Sequence, residues 1–382
     1  MKKICAITTI DFTLRSFVVD AMRVLQGEGY DVTLIASMGD AFFERYSEEF
    51  HCVNLPMSRG SNPVNMLKSI VALYRIFRRE RFDYIQYATP NAAFYASVAS
   101  RLARCPVRVY CQWGIRYVGF SGLRRWFFKM IEVATCRLST HIRPASRKNL
   151  EFAVSEGHYP ASKAAIIGDG GTIGVDFSVF DKSLKAANKA EVLARHPQLE
   201  GKFVYGFVGR MDKDKGINEL FTAFLGLSGR YPDVALLVVG PEDKLGGIDS
   251  ALYQRVRECG AAVFTGYSSE AAKYISALDV LVHPSYREGF SMVIQQAMAM
   301  ELAVVTTDIP GPSEVVEAGV SGLLVPARDA CGLQKVMETV HNDGALRASV
   351  ARAGYERAHR LFGRQRMLEL TLIDRKNIMN DN

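Results

Sequence analysis

Residues 283–308 read HPSYREGFSMVIQQAMAMELAVVTTD, and they predict a loop, a helix and a strand in succession. The HPSYREGF segment has the composition of a turn, residues 291–300 repeat apolar side chains with a helical period, and AVVTT is typical of a strand. A loop that enters a helix presents unpaired backbone N–H groups and the positive end of the helix dipole. With Glu288 beside that point, the stretch predicts an anion site next to a hydroxyl-binding acid, which suits a sugar joined to a diphosphate.

Strands and helices alternate on both sides of this stretch. In the first half, strands are predicted at 3–9, 31–36, 52–55, 84–88 and 107–111, with helices at 13–26, 63–79, 91–102 and about 123–136. After a polar segment at 181–202, strands are predicted at 203–209, 234–239, 262–264, 280–283, 303–306 and 322–325, with helices between and after them and a last helix at 364–377.

This alternation predicts an α/β protein made of two doubly wound, Rossmann-like domains that face each other across a cleft at the carboxyl ends of their strands. Residues 1–184 form the first domain, and residues 185–361 form the second. A C-terminal helix at about 362–382 is expected to cross back to the first domain. The turn after the first strand, TTIDFTLRS, contains no glycine, so the G-x-G-x-x-G that a dehydrogenase needs there is missing.

Composition narrows the class of protein. The 382 residues are 48% hydrophobic and 23% charged, which indicates a globular chain long enough for two cores. The longest uncharged run, 84–100, is too polar for a membrane span, and the N-terminal stretch alternates like a strand, so we expect a cytoplasmic protein. The seven cysteines are scattered without a C-x-x-C, and no histidine lies in a metal-ligand pattern. We therefore expect buried free thiols and no metal site, with His283 as a wall of the cleft.

The positive charge is concentrated in the first half. Residues 1–180 contain 23 Lys+Arg against 15 Asp+Glu, and residues 101–148 alone contain eleven basic residues and one acid, Glu132. Aromatic side chains interleave with these basic residues, a pattern that favours an anionic membrane surface. An ordinary amphipathic helix with snorkelling arginines or a nucleic-acid surface are the alternatives. The predicted membrane contacts are Arg124, Arg125, Trp126, Phe127 and Lys129.

The second half resembles the nucleotide-sugar domain of family 4 of the glycosyltransferases, a retaining family with the GT-B fold. The motifs that carry the resemblance are, in order, FVGRMDKDKG (207–216), VVGPED (238–243), FTGY (264–267), HPSYREGFSMVIQQAMA (283–299) and PGPSEVVEAGVSGLLVP (310–326). The first half is similar to the branch of that family that builds capsule, exopolysaccharide and lipid-linked glycans. Its matching stretches lie at 55–86, 88–102, 107–117 and 171–180, so the resemblance spans nearly the whole chain.

The resemblance implies a role for each donor-site residue. Arg210 and Lys215 would clamp the diphosphate, and Glu288 would accept hydrogen bonds from the sugar, so these three are the predicted catalytic residues. The leaving phosphate takes the acceptor proton in such enzymes, so neither a protein base nor a metal is required. The predicted donor-binding set is Gly209, Arg210, Lys215, Phe264, Gly266, Tyr267, Glu288, Gly289, Phe290, Ser291 and Gln296. Gln296 replaces the family's usual second glutamate and forms weaker hydrogen bonds to a ribose.

The acceptor side departs further from the family pattern. Four residues that are usual there, a histidine, a lysine, a histidine and an asparagine, are replaced by Gln86, Asn91, Trp113 and Ile173. These replacements leave open which acceptor is used and whether the enzyme is impaired. Arg116 is the candidate for contacting a lipid diphosphate or the incoming sugar. The predicted acceptor-binding residues are Thr13, Arg59, Gln86, Thr89, Asn91, Trp113, Gly114 and Arg116.

The sequence thus predicts a peripheral membrane glycosyltransferase on the inner face of the cell membrane. The expected reaction moves a hexose or N-acetylhexosamine-type sugar from a UDP-sugar to a polyprenyl-diphosphate-linked acceptor in envelope glycan synthesis, with no cofactor and no nucleic acid partner. Alternatives are a GT-B transferase with a soluble acceptor, a sugar-nucleotide epimerase, or a catalytically silent sugar-binding scaffold.

Overall fold

The structure is a computed structural model that describes residues 1–57, 62–242 and 247–380. Its strands are β1 Lys3–Ile10, β2 Asp31–Ser37, β3 His51–Asn54, β4 Tyr84–Tyr87, β5 Val107–Gln112, β6 His141–Pro144, β7 Phe203–Val208, β8 Val234–Val239, β9 Ala262–Phe264, β10 Val280–His283, β11 Ala303–Thr307 and β12 Leu323–Val325. Its helices are α1 Asp11–Phe17, α2 Val19–Gly27, α3 Asp40–Tyr46, α4 Pro63–Glu80, α5 Pro90–Leu102, α6 Gly122–Leu138, α7 Arg147–Ser155, α8 Lys185–Arg195, α9 Ile217–Ser228, α10 Ser250–Glu258, α11 Ala271–Ser276, α12 Met292–Ala299, α13 Pro312–Val315, α14 Ala330–Asn342, α15 Gly344–Leu361 and α16 Arg364–Asn380.

The first unit contains Met1–Ile173 and Gln365–Asn382. Its six strands form a sheet in the order β3-β2-β1-β4-β5-β6, and the neighbours pair in parallel. Apolar residues from both faces of the sheet lie in two separate core clusters, because helices cover the sheet on both sides. The order reverses between β1 and β4, which makes the carboxyl ends of these two strands the switch point of the sheet.

The second unit, Gly174–Arg364, repeats the plan. Its parallel sheet has the order β12-β11-β10-β7-β8-β9, so the switch point lies between β7 and β10. Strand β8, with the sequence VALLVV, is buried along its whole length, as a central strand covered on both faces must be. The predicted α/β class with two Rossmann-like units is therefore confirmed.

The C-terminal helix α16 packs on the sheet of the first unit, as predicted. Ile378 and Met379 join the apolar core around β1 and β2. Arg375 is buried beside them and donates to Gln86 Oε1 at 3.2 Å and to the carboxylate of Asp374. Arg143 holds the same carboxylate with Nη2 at 2.7 Å. Burial opposes ionisation of Asp374, but the two guanidinium groups outweigh it and keep the pKa of this carboxyl below its ordinary value.

Two unit boundaries differ from the predicted ones. The first unit ends at Ile173 rather than 184, because Val175 pairs with Gly363 and the Asp176 carboxylate lies 3.2 Å from Arg364 Nη1 within the second unit. The C-terminal part of the first unit starts at Gln365 rather than about 362.

Several local predictions were also wrong. The single helix predicted at 13–26 is two helices separated at Val18, whose backbone leaves the helical region. Strand β6 and helices α3, α7 and α8 were missed, α8 because its charged surface resembles a linker. Four cysteines are buried as expected, but Cys52 is half-buried, and Cys259 and Cys331 are exposed free thiols.

None of the helices within the described ranges combines the length and the apolar character needed to cross a membrane.

Replacing Arg375 with Met should destabilise the first unit by about 3–5 kcal/mol, because the buried Gln86 amide loses its cationic partner and the Asp374 carboxylate keeps only Arg143. Urea unfolding at pH 7 measures this change. Arg366→Met is the matched control: it lies on the same helix but is half-exposed and pairs with Asp169 at 3.2 Å, so we expect at most about 1 kcal/mol. Equal losses in the two variants would contradict a docking role for Arg375.

Candidate active site

Two loops meet at the switch point of the second sheet. One follows β7 and spans residues 209–216, and the other follows β10 and spans residues 284–291. Gly216 has a φ of +67°, and a Cβ at this position would lie 2.0 Å from the carbonyl oxygen of Pro284. Only glycine permits this backbone contact, so the two loops are fixed against each other at the edge where open α/β sheets bind their ligands.

The side chains of Lys215 and Glu288 join the same two loops. Lys215 Nζ lies 2.5 Å from Glu288 Oε1, and both side chains are largely buried, with 19% and 14% of their surface exposed. The same oxygen lies 2.8 Å from His283 Nε2 and accepts from Ser285 Oγ at 2.9 Å. Three donors thus converge on one carboxylate oxygen.

This environment fixes the charge of the carboxylate. Burial opposes ionisation of Glu288, but the Lys215 ammonium and the His283 hydrogen bond outweigh burial and hold the pKa of Glu288 well below its ordinary value. Burial lowers the pKa of His283 against the opposing effect of Glu288, so the imidazole is neutral at pH 7. The site therefore holds an ionised carboxylate and an ammonium group that are both largely buried.

A second ion pair, which the sequence analysis missed, supports the first. Arg287 Nη2 donates to Asp214 Oδ2 at 2.9 Å, and the backbone N–H of Tyr286 donates to the carbonyl of Asp214 at 2.8 Å. Asp214 and Arg287 each precede a predicted site residue by one position. The alternating acidic and basic residues of DKDK (212–215) and YREG (286–289) indicate that ion pairs can form between the two loops, but they do not show which residues pair.

Arg210 is placed differently from Lys215. It follows β7 in the same loop, but 70% of its side chain is exposed, and its Nη2 lies 3.4 Å from Asp212 Oδ2. The preceding Gly209 has a close backbone approach to Gly240 at the end of β8, where a Cβ would lie 1.8 Å from the Gly209 carbonyl oxygen. Arg210 therefore lies at the same strand edge as Lys215 and Glu288, but it pairs with Asp212 and is mostly exposed.

The remaining predicted donor residues fall into two groups. Gly289 packs against Gly311 in the loop after β11, Phe290 is buried against the ring of Phe362, and Ser291 precedes α12. Gln296 lies half-exposed on α12.

The FTGY segment after β9 is less uniform. Phe264 packs its ring on Tyr253 and Phe221, so its side chain serves the core. Gly266 accepts a hydrogen bond from the N–H of Gly240, and Tyr267 is exposed.

In the first unit, Thr89 marks the switch point. Its Oγ1 lies 2.7 Å from Thr9 Oγ1 and accepts from the Thr9 N–H at 3.0 Å, which joins the ends of β4 and β1. Thr89 has a φ of +65°, a conformation that is rare and strained for a β-branched residue. Such strain is concentrated at functional sites.

Two predicted acceptor residues are in direct contact. Arg116 Nη1 donates to Asn91 Oδ1 at 3.0 Å, and the Arg116 guanidinium lies 4.6 Å from the centre of the Phe128 ring. Both residues line a hollow between α4, α5 and α6, together with Met66 and Phe94. Arg116 and Asn91, both predicted from the sequence, thus line a hollow whose other walls are largely apolar.

The other predicted acceptor residues are dispersed. Gln86 points into the core, where it accepts from Tyr84 and Arg375, so the structure does not place it with Arg116. Trp113 packs against Phe17, and Gly114 follows it in the loop after β5. Thr13 lies in α1, and Arg59 lies outside the described residues.

Helix α6 carries the predicted membrane residues. Leu123, Trp126, Phe127 and Met130 are exposed, Leu123 to 86% and Trp126 to 63%, and their spacing puts them on one face. Arg124 lies over the Phe120 ring and Arg125 over the Tyr117 ring, whereas Lys129 pairs with Glu156 at 2.7 Å. Of the predicted membrane residues, Trp126 and Phe127 are thus more exposed for contact with a membrane than Lys129, which is engaged in an ion pair.

Among the described residues, no three His, Cys, Asp or Glu side chains are arranged so that they could hold a metal ion.

Comparison with known families agrees with this geometry. Residues 188–357 match the family model described as glycosyl transferases group 1, and residues 3–142 match the model described as glycosyl transferase 4-like. Each match falls within one unit, and the first contains both loops of the Lys215–Glu288 pair.

Individual relatives are similar over most of their length. A GDP-mannose-dependent alpha-mannosyltransferase of Mycobacterium tuberculosis is 37% identical over 81% of this chain and 79% of its own. The capsular polysaccharide biosynthesis glycosyltransferase CapM of Staphylococcus aureus is 27% identical over 90% and 89%. The UDP-Gal:alpha-D-GlcNAc-diphosphoundecaprenol alpha-1,3-galactosyltransferase of Escherichia coli is 21% identical over 85% and 83%.

Solved structures share the architecture. Anabaena Alr3699/HepE in complex with UDP-glucose has a TM-score of 0.81 at 19% identity, over 99% of this chain and 100% of its own. WaaG, a glycosyltransferase involved in lipopolysaccharide biosynthesis, has a TM-score of 0.75 at 16% identity, over 97% and 99%. With its two parallel sheets, its donor-type loops and these matches, the chain belongs to family 4 of the glycosyltransferases and has the GT-B fold.

Proposed function

We propose that this glycosyltransferase moves a hexose or N-acetylhexosamine-type sugar, with retention, from a UDP-sugar to a polyprenyl-diphosphate-linked acceptor in cell-envelope glycan synthesis. The observation that carries the donor half is the buried contact between Lys215 and Glu288 at the switch point of the second sheet. Relatives named for capsular and diphosphoundecaprenol-linked glycans support the acceptor half. The solved neighbour with bound UDP-glucose supports a UDP-sugar donor.

The site has the charges that this reaction needs. As the bond between sugar and diphosphate breaks, positive charge develops at the anomeric carbon and negative charge on the leaving diphosphate. Lys215 contributes a point charge, the exposed Arg210 contributes a planar guanidinium, and the first turn of α12 contributes its N–H groups. Together these groups stabilise the negative charge on the leaving diphosphate, a task that a metal ion performs in other transferases. We therefore propose a metal-independent reaction.

Glu288 has a different task. A carboxylate held ionised accepts hydrogen bonds from sugar hydroxyls, and its fixed position orients the ring for attack. Its low pKa makes it a poor proton acceptor at pH 7, so it is unsuited to act as a general base. This supports a mechanism in which the leaving phosphate takes the acceptor proton.

In the first unit, we assign the acceptor diphosphate to Arg116. Its guanidinium is fixed by Asn91 and by the faces of Phe128 and Phe120, and a planar fork suits phosphate oxygens. Asn91 orients the cation rather than adding charge. Thr89 and Gly114, at neighbouring strand ends, complete the proposed acceptor edge.

We also propose that the first unit binds the inner membrane surface peripherally. Helix α4 carries a second exposed apolar face, Val64, Leu67, Val71 and Tyr74, and exposed basic residues beside it, including Lys68 and Arg75. Helix α4 packs on α5, which packs on α6, and the hollow with Arg116 lies between the three. Two apolar faces with flanking cations match an anionic lipid surface.

Donor binding tests the second-unit site. UDP at about 100 times its dissociation constant stabilises a binding-competent unit by about 2.7 kcal/mol. Differential scanning fluorimetry with UDP and UDP-sugars should show this rise in the melting temperature. Arg210→Ala should reduce the rise and slow donor hydrolysis by about 100-fold, and its exposure keeps the fold intact.

Lys213→Ala is the matched control, since Lys213 is exposed two positions before Lys215. It should keep the full stabilisation by UDP. Equal losses in the Arg210 and Lys213 variants, or no response of the wild-type protein to any nucleotide sugar, would contradict the donor site.

Membrane binding is tested by sedimentation with vesicles that contain phosphatidylglycerol. The double variant Leu123→Asp, Trp126→Asp should lose most of its binding, because each charged side chain opposes burial of the exposed face of α6. Raising the salt concentration should weaken wild-type binding, since each nearby basic residue contributes about 1 kcal/mol at low ionic strength.

Val320→Asp, which replaces an exposed apolar residue of the second unit, is the control and should bind like the wild type. Binding that the α6 variant retains in full would exclude this helix as the contact surface.

A further inference from the structure

His283 occupies a central place under the donor site. It ends β10 and is 1% exposed, and its ring lies parallel to that of Phe207 on β7, with 6.1 Å between centroids and 11° between planes. Its carbonyl oxygen accepts from Thr306 Oγ1 at 2.8 Å. Neighbouring strands therefore fix both its backbone and its ring.

The Nε2 edge of the imidazole contacts the donor-site residues. Nε2 lies 2.8 Å from Glu288 Oε1, 3.2 Å from Ser285 Oγ and 3.3 Å from Ser291 Oγ. Nδ1 is buried without a hydrogen-bond partner in the described part of the chain. Among the described residues, the ring therefore contacts the carboxylate through Nε2 and has no hydrogen-bond partner at Nδ1.

The partner determines the tautomer. An ionised carboxylate only accepts hydrogen bonds, so Nε2 must carry the proton when it meets Glu288. Because the imidazole is neutral, Nδ1 then holds a lone pair. Leaving the Nδ1 lone pair buried without a donor costs free energy. The hydrogen bond from Nε2–H to Glu288 offsets that cost.

We propose that His283 is a positioning residue of the donor site: its Nε2–H, together with Lys215 and Ser285, orients the Glu288 carboxylate toward the donor sugar. This inference rests on the proposed function of the site. It adds a specific role for an uncharged imidazole that the sequence analysis treated as a wall of the cleft. Ser285 supports it, since its carbonyl oxygen accepts from Thr307 Oγ1 at 2.5 Å and its hydroxyl reaches the same Oε1.

The role has a consequence for pH dependence. The hydrogen bond from His283 is one of the causes that lower the pKa of Glu288, and Lys215 and Ser285 are among the other groups that face this carboxylate. Glu288 is ionised above its pKa, so the active form is lost as pH falls through that value. Removal of the donor raises the pKa, but Lys215 still holds Glu288 ionised at pH 7, so the expected loss is in the orientation of the carboxylate and appears in kcat.

The first measurement does not depend on activity. Two-bond ¹H–¹⁵N correlation spectra of histidine-labelled protein, assigned with the His283→Gln variant, report the tautomer directly. We expect a neutral ring with the proton on Nε2 at pH 7. A protonated ring or an Nδ1–H tautomer would overturn the proposal, whether or not the chain hydrolyses a nucleotide sugar.

The second measurement follows hydrolysis of a UDP-sugar at pH 7, with kcat and KM determined separately. His283→Leu should lower kcat by about 10–100-fold, the contribution of a hydrogen bond to a charged group, with KM within about threefold of the wild type. Its affinity for UDP alone should stay within about threefold of the wild type. His283→Gln keeps an N–H donor and should recover part of kcat.

His196→Gln is the control, because His196 belongs to the same unit and burial also lowers its pKa, but Glu288 is not among its contacts. A wild-type kcat in His283→Leu below its melting temperature, or a kcat in His283→Gln as low as in His283→Leu, would reduce His283 to a structural residue. Absence of UDP binding in the wild type would instead contradict the proposed function, while the tautomer spectrum still decides the role of His283.

Discussion

The buried pair between Lys215 and Glu288 is the constraint on which the second unit depends. Transfer of a carboxylate and an ammonium out of water costs several kcal/mol per ion, and mutual attraction offsets this only when the geometry is good. An apolar pair would hold the two loops at least as well. The retention of charge at this point therefore indicates a task in binding, and the low pKa of Glu288 indicates the same.

The rest of the donor edge is arranged to make that pair possible. Gly216 lets the loop after β7 touch Pro284, and the Asp214–Arg287 pair holds the same loops one residue away. His283 and Ser285 add hydrogen bonds to the carboxylate from the β10 side. The contacts of Lys215 with Glu288 and of Asp214 with Arg287 each join residues 73 positions apart, and they follow from the position of β7 beside β10 in the sheet.

Much of this could be predicted from the sequence, for identifiable reasons. Strands such as 234–239 and 280–283 are short apolar runs bounded by turn residues, and their positions were correct. The loop around Glu288 was predicted to be the site because it combines a turn, an acid and a helix start, and the structure places Lys215 in contact with that acid. The missed elements have a composition that is unusual for their structure. Helix α8 is rich in charged residues and was taken for a linker, and the four residues of β6 include Arg143 and Pro144, which are uncommon in strands. Partners across loops, such as Asp214 with Arg287 and Gln86 with Arg375, depend on tertiary contacts that no local pattern encodes.

A double-mutant cycle on Lys215 and Glu288 tests the central claim most directly. The free energy of unfolding would be measured for the wild type, Lys215→Met, Glu288→Gln and the double variant. If the two charges compensate each other in a dry site, each single variant strands its partner, and the double variant recovers about 1–3 kcal/mol relative to the sum of the single losses. Losses that add to within about 0.5 kcal/mol would show that the charges do not interact and would contradict the account.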